Sequence, residues 1–346
     1  MRAIVVPRPG EAQVAEVAEP VWGEHDALVR VLTCTLCSGT DRHIVDGSFP
    51  GAVYPCLLGH ETIGRVEAVG ARVRHLKVGD LVLRPTAVRP GQTLSGYASF
   101  FGGFAEYGIA TDARALIEDA PAGQAAPLPA FARAQQVVPG DFPVEQAGAF
   151  ITYKETLSAL LDLGVRPNLS LLILGSGPVA LSFILAAKRI GARPVIVTGR
   201  RPEALERAMA YGADATIDVT REDLVGRVRE LTGGAGAAMA VEAIGSWVAF
   251  AQAVPALAAG GLIGIYGVAP ERGRLTLDLS RRPAGLTIRF IQPREEQVHD
   301  WALEQMRLGL LDLAPQITHQ LPFAEIGRAL ALLEARQAVK VVLRLD

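Results

Sequence analysis

The run Leu171-Leu172-Ile173-Leu174-Gly175-Ser176-Gly177-Pro178-Val179-Ala180 constrains this chain more than any other stretch. Four consecutive apolar residues meet a glycine turn, and a helix-like segment then continues to Ile190 and stops at Gly191. A buried strand, a tight turn and a helix are the parts of a dinucleotide-binding βαβ unit. Gly175 permits the turn, Gly177 lets the backbone approach a pyrophosphate, and Ala180 stands where a third small residue is required. The helix start at Pro178 and Val179 offers a partial positive charge to phosphates. A glycine turn alone can join any strand to any helix. Here strand, turn, helix and the next strand, Pro194 to Val197, stand in order, which favours the nucleotide reading.

The end of that next strand selects the nucleotide. A carboxylate there accepts from the ribose 2'-OH of NAD, whereas arginines suit a 2'-phosphate. This chain reads Thr198-Gly199-Arg200-Arg201-Pro202. The acid is absent and two guanidiniums stand in its place, so NADP(H) is expected over NAD(H), with Gly199, Arg200 and Arg201 as contacts. Ile244 and Gly267, which follow the apolar runs Ala238 to Val241 and Leu262 to Ile265, complete the expected cofactor set.

A length of 346 residues suits about two domains. From about residue 153 the alternation of strand-like and helical stretches predicts an α/β, Rossmann-type doubly wound parallel sheet. Up to about residue 115 the apolar runs are short, separated by Gly and Pro, and predict a mostly antiparallel, barrel-like β domain. The boundaries expected are 1–150, completed by 320–346, for the β domain and 151–319 for the nucleotide domain. Lys+Arg 34 against Asp+Glu 36 leaves a net charge of -2, so nucleic-acid binding has no support. The apolar runs fall short of a membrane span and the N-terminus lacks an export pattern, so a cytoplasmic location is expected. Cys34, Cys37 and Cys56 do not make a disulfide framework.

In the first domain stand Leu36-Cys37-Ser38-Gly39-Thr40-Asp41-Arg42-His43 and Leu58-Gly59-His60-Glu61-Thr62. Thiolate, imidazole and carboxylate are the ligand types of a catalytic zinc. A Cys and a His at this spacing are weak evidence by themselves. With Val78-Gly79-Asp80-Leu81-Val82, Gly103-Phe104-Ala105-Glu106-Tyr107 and the Gly175 turn, however, the whole chain resembles the zinc-dependent medium-chain dehydrogenases of alcohols, polyols and sugars. The resemblance implies a GroES-like first domain, zinc on Cys37 and His60, Glu61 on the metal or just behind it, and a proton path through Thr40 and His43. It also implies a homodimer or homotetramer, with the strand Leu286 to Ile291 carrying the sheet across a subunit boundary, and a cleft with zinc on one wall and nicotinamide on the other.

Three departures shape the expectation. Cys37-Ser38-Gly39-Thr40 holds one residue more than the family pattern. The family's third-ligand position, counted back from Gly175, falls on Phe150 or Ile151, which leaves Glu155 as the nearest candidate metal ligand; its bland alternative is an acid near a helix N-terminus. The stretch Arg84 to Phe104 contains no cysteine, so one zinc per chain is expected and not two. Cys34 and Cys56 read as core residues, and His25, His75, His299 and His319 as surface or loop residues. Lys340 reads as surface cover, with the cofactor phosphates as its alternative partner.

The expected substrate is a small alcohol or carbonyl compound, most readily a polyol or sugar, with Arg289 or Gln292 as polar donors. Simple primary or secondary alcohols and aldoses oxidised at the anomeric carbon are the alternatives. A zinc-free quinone or enone reductase, or a non-catalytic NADPH-binding protein, would share the nucleotide fold.

Overall fold

The computed structural model describes residues 1–268 and 277–345. They form two compact units, Met1–Ile151 with Leu303–Asp346, and Thr152–Ala302. The segment 303–319 groups with the first unit, where the sequence reading carries the second domain on to 319.

The first unit is built on two sheets. A five-stranded sheet contains Arg2–Val6 and Cys56–Leu57, and a seven-stranded sheet is centred on the long strand Asp26–Leu36. That strand pairs antiparallel with Thr62–Val69, with Tyr107–Thr111 and with the C-terminal strand Lys340–Arg344. Its apolar positions Val31, Cys34 and Leu36 pack with Ile4, Cys56, Phe104, Val341 and Leu343 in one buried cluster. Period-two burial thus draws the C-terminal segment into the core of the first unit, beside residues from its start.

The second unit is a six-stranded, wholly parallel sheet in the order Ala215–Asp218, Val195–Gly199, Leu171–Leu174, Ala237–Glu242, Leu257–Ile265 and Thr287–Phe290. Every residue of Leu171–Leu174 is buried, as a strand covered on both faces requires. The helix Pro178–Ile190 begins with proline at its first turn and ends at Gly191 in the left-handed conformation. Thr287–Phe290 is an edge strand with all four residues exposed, Phe290 at 72%. Among the described residues no helix is long and apolar enough to cross a membrane.

Candidate active site

The strand register of the first unit explains how residues distant in sequence meet. Cys37 directly follows the strand ending at Leu36, and His60-Glu61 directly precede the strand starting at Thr62. Antiparallel pairing sets Cys34 opposite Thr62, so the end of one strand lies beside the start of the other. The pairing of Leu36 with Val341 brings Lys340 to the same end of the sheet. The result is a group in which Cys37, His60 and Glu61 each offer a ligand atom within 4.8 Å of the others. Among the described residues it is the one such group of His, Cys, Asp and Glu side chains.

Gly59 sets the approach to His60. Its φ is +99°, and a Cβ there would lie 1.9 Å from the Phe104 ring, so only glycine fits the turn. Arg84 donates from Nη1 to the His60 carbonyl at 2.8 Å. Behind the group stands Asp41, which is buried and reaches two of its members. Its Oδ2 accepts the Cys37 backbone N–H at 2.8 Å, and its Oδ1 lies 3.5 Å from His60 Nδ1. Both Asp41 Oδ1 and His60 Nδ1 are buried without a hydrogen bond, an arrangement that orients an imidazole for a metal on its other nitrogen. Burial opposes a charge on His60, but Asp41 and then Cys37 outweigh it and push the imidazole well above its ordinary value. The donor set and this buried carboxylate–imidazole pair fit a zinc ion.

Lys340 corrects the sequence reading. It is 2% exposed, and its Nζ donates to Glu61 Oε2 at 2.6 Å. Its partner is 279 residues away in the chain, so the sequence holds no local sign of the pair. Glu61, itself 1% exposed, therefore carries a buried ammonium beside the metal-type group.

Thr40 opens the short helix Thr40–Asp46, which also carries His43. His43 Nδ1 lies 2.6 Å from Ser48 Oγ, and the Ser48 hydroxyl is donated to Asp46 Oδ1. Because that proton is committed, Ser48 accepts from Nδ1–H, which leaves Nε2 as the basic nitrogen, facing Arg42 Nη2 at 3.4 Å. Burial, and then Arg42, hold the His43 pKa below its ordinary value. Ser48 and Asp46 are absent from the sequence reading, since an i to i+5 contact across a helix end follows no periodic pattern.

The remaining thiols are core residues, as expected. Burial and then Asp41 push Cys34 well above its ordinary value, and burial raises Cys56 to about 11. Glu155 belongs to the second unit and is the ninth residue of the helix Ala147–Leu163, well past its first turn. Its Oε2 accepts from the Tyr266 hydroxyl at 3.0 Å. The group of Cys37, His60 and Glu61 does not contain it. Arg289 is exposed on the edge strand and donates to the Asp162 carbonyl at 2.7 Å, and Gln292 is exposed. His25 and His75 pair with Asp119 and Glu118. His299, expected at the surface or in a loop, is instead 5% exposed at the start of the helix His299–Arg307, with Nδ1 3.3 Å from Lys154 Nζ.

In the second unit Gly175 has a φ of +109° and donates its N–H to Thr198 Oγ1 at 3.2 Å. Gly177 caps the helix that begins Pro178-Val179, and the turn from Gly175 to Val179 is half-buried. Gly199 ends its strand, Arg200 is exposed, and Arg201 caps the helix Pro202–Ala210. Glu242, which sequence reasoning passed over, is buried at the strand end adjoining Leu174 and accepts the N–H groups of Ile244, Gly245 and Ser246. It thereby fixes the loop that presents Ile244, 49% exposed, while Gly267 N donates to its carbonyl.

Residues 23–120 match the alcohol dehydrogenase GroES-like domain, and residues 178–289 match the zinc-binding dehydrogenase family. L-threonine 3-dehydrogenase of Symbiobacterium thermophilum is 30% identical over 96% of this chain and 94% of its own. The alcohol dehydrogenase TADH of Thermus sp. ATN1 superposes with a TM-score of 0.80 at 28% identity, covering 100% of both chains. A protein described as a zinc-binding dehydrogenase from Sinorhizobium meliloti 1021, solved bound to NADP, gives 0.78 at 26% identity over 99% of each chain. The glycine turn on a parallel sheet, the strand-end thiolate, imidazole and carboxylate, and these full-length likenesses together place the chain in the zinc-dependent medium-chain dehydrogenase family.

Proposed function

We propose that this protein oxidises an alcohol, or reduces the corresponding carbonyl, with NADP(H) and one zinc ion per chain. The observation that carries the reading is the convergence of Cys37, His60 and Glu61 with Asp41 behind His60. Cys37 and His60 hold the ion, His60 through Nε2 because Nδ1 faces Asp41. Glu61 completes the protein ligands or stands one step back on Lys340. Bound zinc supplies a Lewis acid that makes the substrate hydroxyl more acidic, and bound NADP+ supplies the hydride acceptor. Thr40 takes the hydroxyl proton, and His43 receives it at Nε2 and releases it towards solvent, with Ser48 and Asp46 holding the ring. A reducing, cytoplasmic setting suits a site that needs Cys37 as a thiolate.

Of the donors expected for a polyol, Arg289 places one N–H on the Asp162 carbonyl, and Gln292 is exposed. Glu155 accepts from the Tyr266 hydroxyl within the second unit. The exposed edge strand with Ile288 and Phe290 suits pairing with a second copy, which supports a homodimer or homotetramer.

The reading is tested by nicotinamide absorbance with NADP+ or NAD+ and a panel of alcohols, on zinc-loaded and chelated protein. Chelator-sensitive reduction is expected, and turnover that survives complete zinc removal would refute it. Replacing Arg200 and Arg201 with Ala is expected to raise the KM for NADP+ by roughly tenfold or more and to leave that for NAD+ nearly unchanged, since a charge-assisted hydrogen bond contributes about 1.5–3 kcal/mol. The NADP-bound relative supports this assignment. Equal effects on the two cofactors would defeat the 2'-phosphate role.

The relay makes a pH prediction. His43 must be neutral to accept a proton, and its pKa is held below 6.5. The acid limb of the kcat profile is therefore expected on the acid side of 6.5, and His43→Gln should lower kcat and remove that limb. An unchanged limb in the variant would assign it to another group.

A further inference from the structure

Phe101 of the first unit stands tilted against His60, and three further phenylalanine rings extend from it. The Phe101 ring lies 4.9 Å from the His60 ring, centroid to centroid, and 5.3 Å from Phe131. Phe100 continues the series at 5.5 Å from Phe101, and Phe49 at 5.0 Å from Phe100. Phe49, Phe100 and Phe101 are half-buried and pack against the core, and Phe131 is 45% exposed.

Backbone conformation separates this arrangement from ordinary packing. Phe101 and Phe131 have φ of 66° and 65°, a region that bulky residues rarely occupy and that glycine fills without strain. The Phe101 conformation is held from outside: the Thr86 hydroxyl shares its proton between the Phe101 carbonyl at 2.6 Å and the Val88 carbonyl at 2.8 Å, and Ala87 N donates to the Gly102 carbonyl at 2.8 Å. Two strained phenylalanines whose rings meet beside a proposed zinc ligand are a costly arrangement for a loop that needs only to turn. Strain over-determined by its surroundings is found where geometry serves a site.

We propose that Phe101, with Phe131 at its edge, is the specificity-determining wall of the alcohol site, and that the substrate class is arylalkyl alcohols and the matching aryl aldehydes or ketones. This rests on the zinc-alcohol reading above and narrows it. An aryl group can lie against Phe101 in the offset or edge-on geometry that aromatic pairs adopt, with the carbinol oxygen directed towards the metal-type group. The rings provide no donor or acceptor, so a polyol or amino acid covered by them would lose water from several polar groups without replacement. The oxidation itself is unchanged: the carbinol carbon loses a hydride to NADP+, and the hydroxyl loses its proton through Thr40.

The test uses the zinc-loaded full chain and compares kcat/KM for benzyl alcohol, 1-propanol and sorbitol in the native protein, Phe101→Gly and Phe101→Tyr. Benzyl alcohol is expected to exceed sorbitol by at least about tenfold. Phe101→Gly, which suits the backbone and so should fold, is expected to reduce the preference for benzyl alcohol over 1-propanol by about tenfold, mainly through KM, with Phe101→Tyr retaining it. Saturation-transfer NMR reports benzyl alcohol binding independently of turnover, with loss of the signal expected in Phe101→Gly. A native preference for sorbitol, or an equal fall on every alcohol in Phe101→Gly, overturns the wall while leaving the zinc-alcohol reading standing. Absence of turnover on every alcohol, with benzyl alcohol still bound through Phe101, fails the zinc-alcohol reading and upholds the wall; absence of both turnover and binding overturns both.

Discussion

Cys37→Ala is expected to bring the zinc content from the proposed one per chain to near zero and to reduce kcat/KM for alcohol oxidation by about a thousandfold or more. A Lewis acid contributes several kcal/mol of charge stabilisation, and each 1.36 kcal/mol is tenfold in rate. Removal of the thiolate leaves His60 and Glu61, and Glu61 already faces the Lys340 ammonium at 2.6 Å. Two neutral or shared donors make a poor zinc site. Atomic absorption on the purified variant gives the stoichiometry, and circular dichroism shows that the fold persists. Retention of one zinc together with a rate within tenfold of native would remove Cys37 from the ligand set.

The second large effect concerns stability. Lys340 and Glu61 are both almost wholly buried, and the Lys340→Met change takes the ammonium at 2.6 Å away from a carboxylate at 1% exposure. Breaking such a pair costs about 3–5 kcal/mol, which corresponds to a fall in Tm on the order of 10 °C. The expectation applies to chelated protein. In zinc-loaded protein the ion can meet the Glu61 charge, so zinc should stabilise Lys340→Met more than it stabilises the native chain. Calorimetry of both proteins, with and without chelator, checks this, and Lys340→Met combined with Glu61→Leu should recover much of the loss. A Tm fall below about 2 °C in the chelated variant would show that the pair behaves as a surface salt bridge.

The parts of this protein that local pattern controls are legible in the chain alone. Leu171 to Leu174 reads as a doubly covered strand because four consecutive apolar residues have no solvent face, and the glycines after it permit the tight turn into a helix. The short runs of the first unit announce β-structure for the same reason, and the thiolate, imidazole and carboxylate types announce metal chemistry. Cys34 separates from Cys37 because strand periodicity turns residues three apart to opposite faces, and Cys56 because a small apolar side chain in a buried run packs as core.

What fails is whatever depends on a partner far away in the chain. Lys340 looks like surface cover because an ammonium in an apolar strand ordinarily seeks water, and nothing near it names Glu61. His299 looks peripheral until Lys154 and Glu295 supply its surroundings. Asp41 sits in the Cys37 motif with no evident role until folding places it against both the Cys37 amide and His60. The phenylalanines at 101 and 131 carry no spacing signal at all, since they meet through two irregular loops. The sequence by itself determined the elements, the nucleotide turn and the ligand types, because these follow from backbone conformational preference and the burial of neighbouring side chains. Tertiary structure alone decided which charge pairs with which, and which rings face His60, because a buried charge or an aromatic face is satisfied by whatever the strand register brings within a few ångströms.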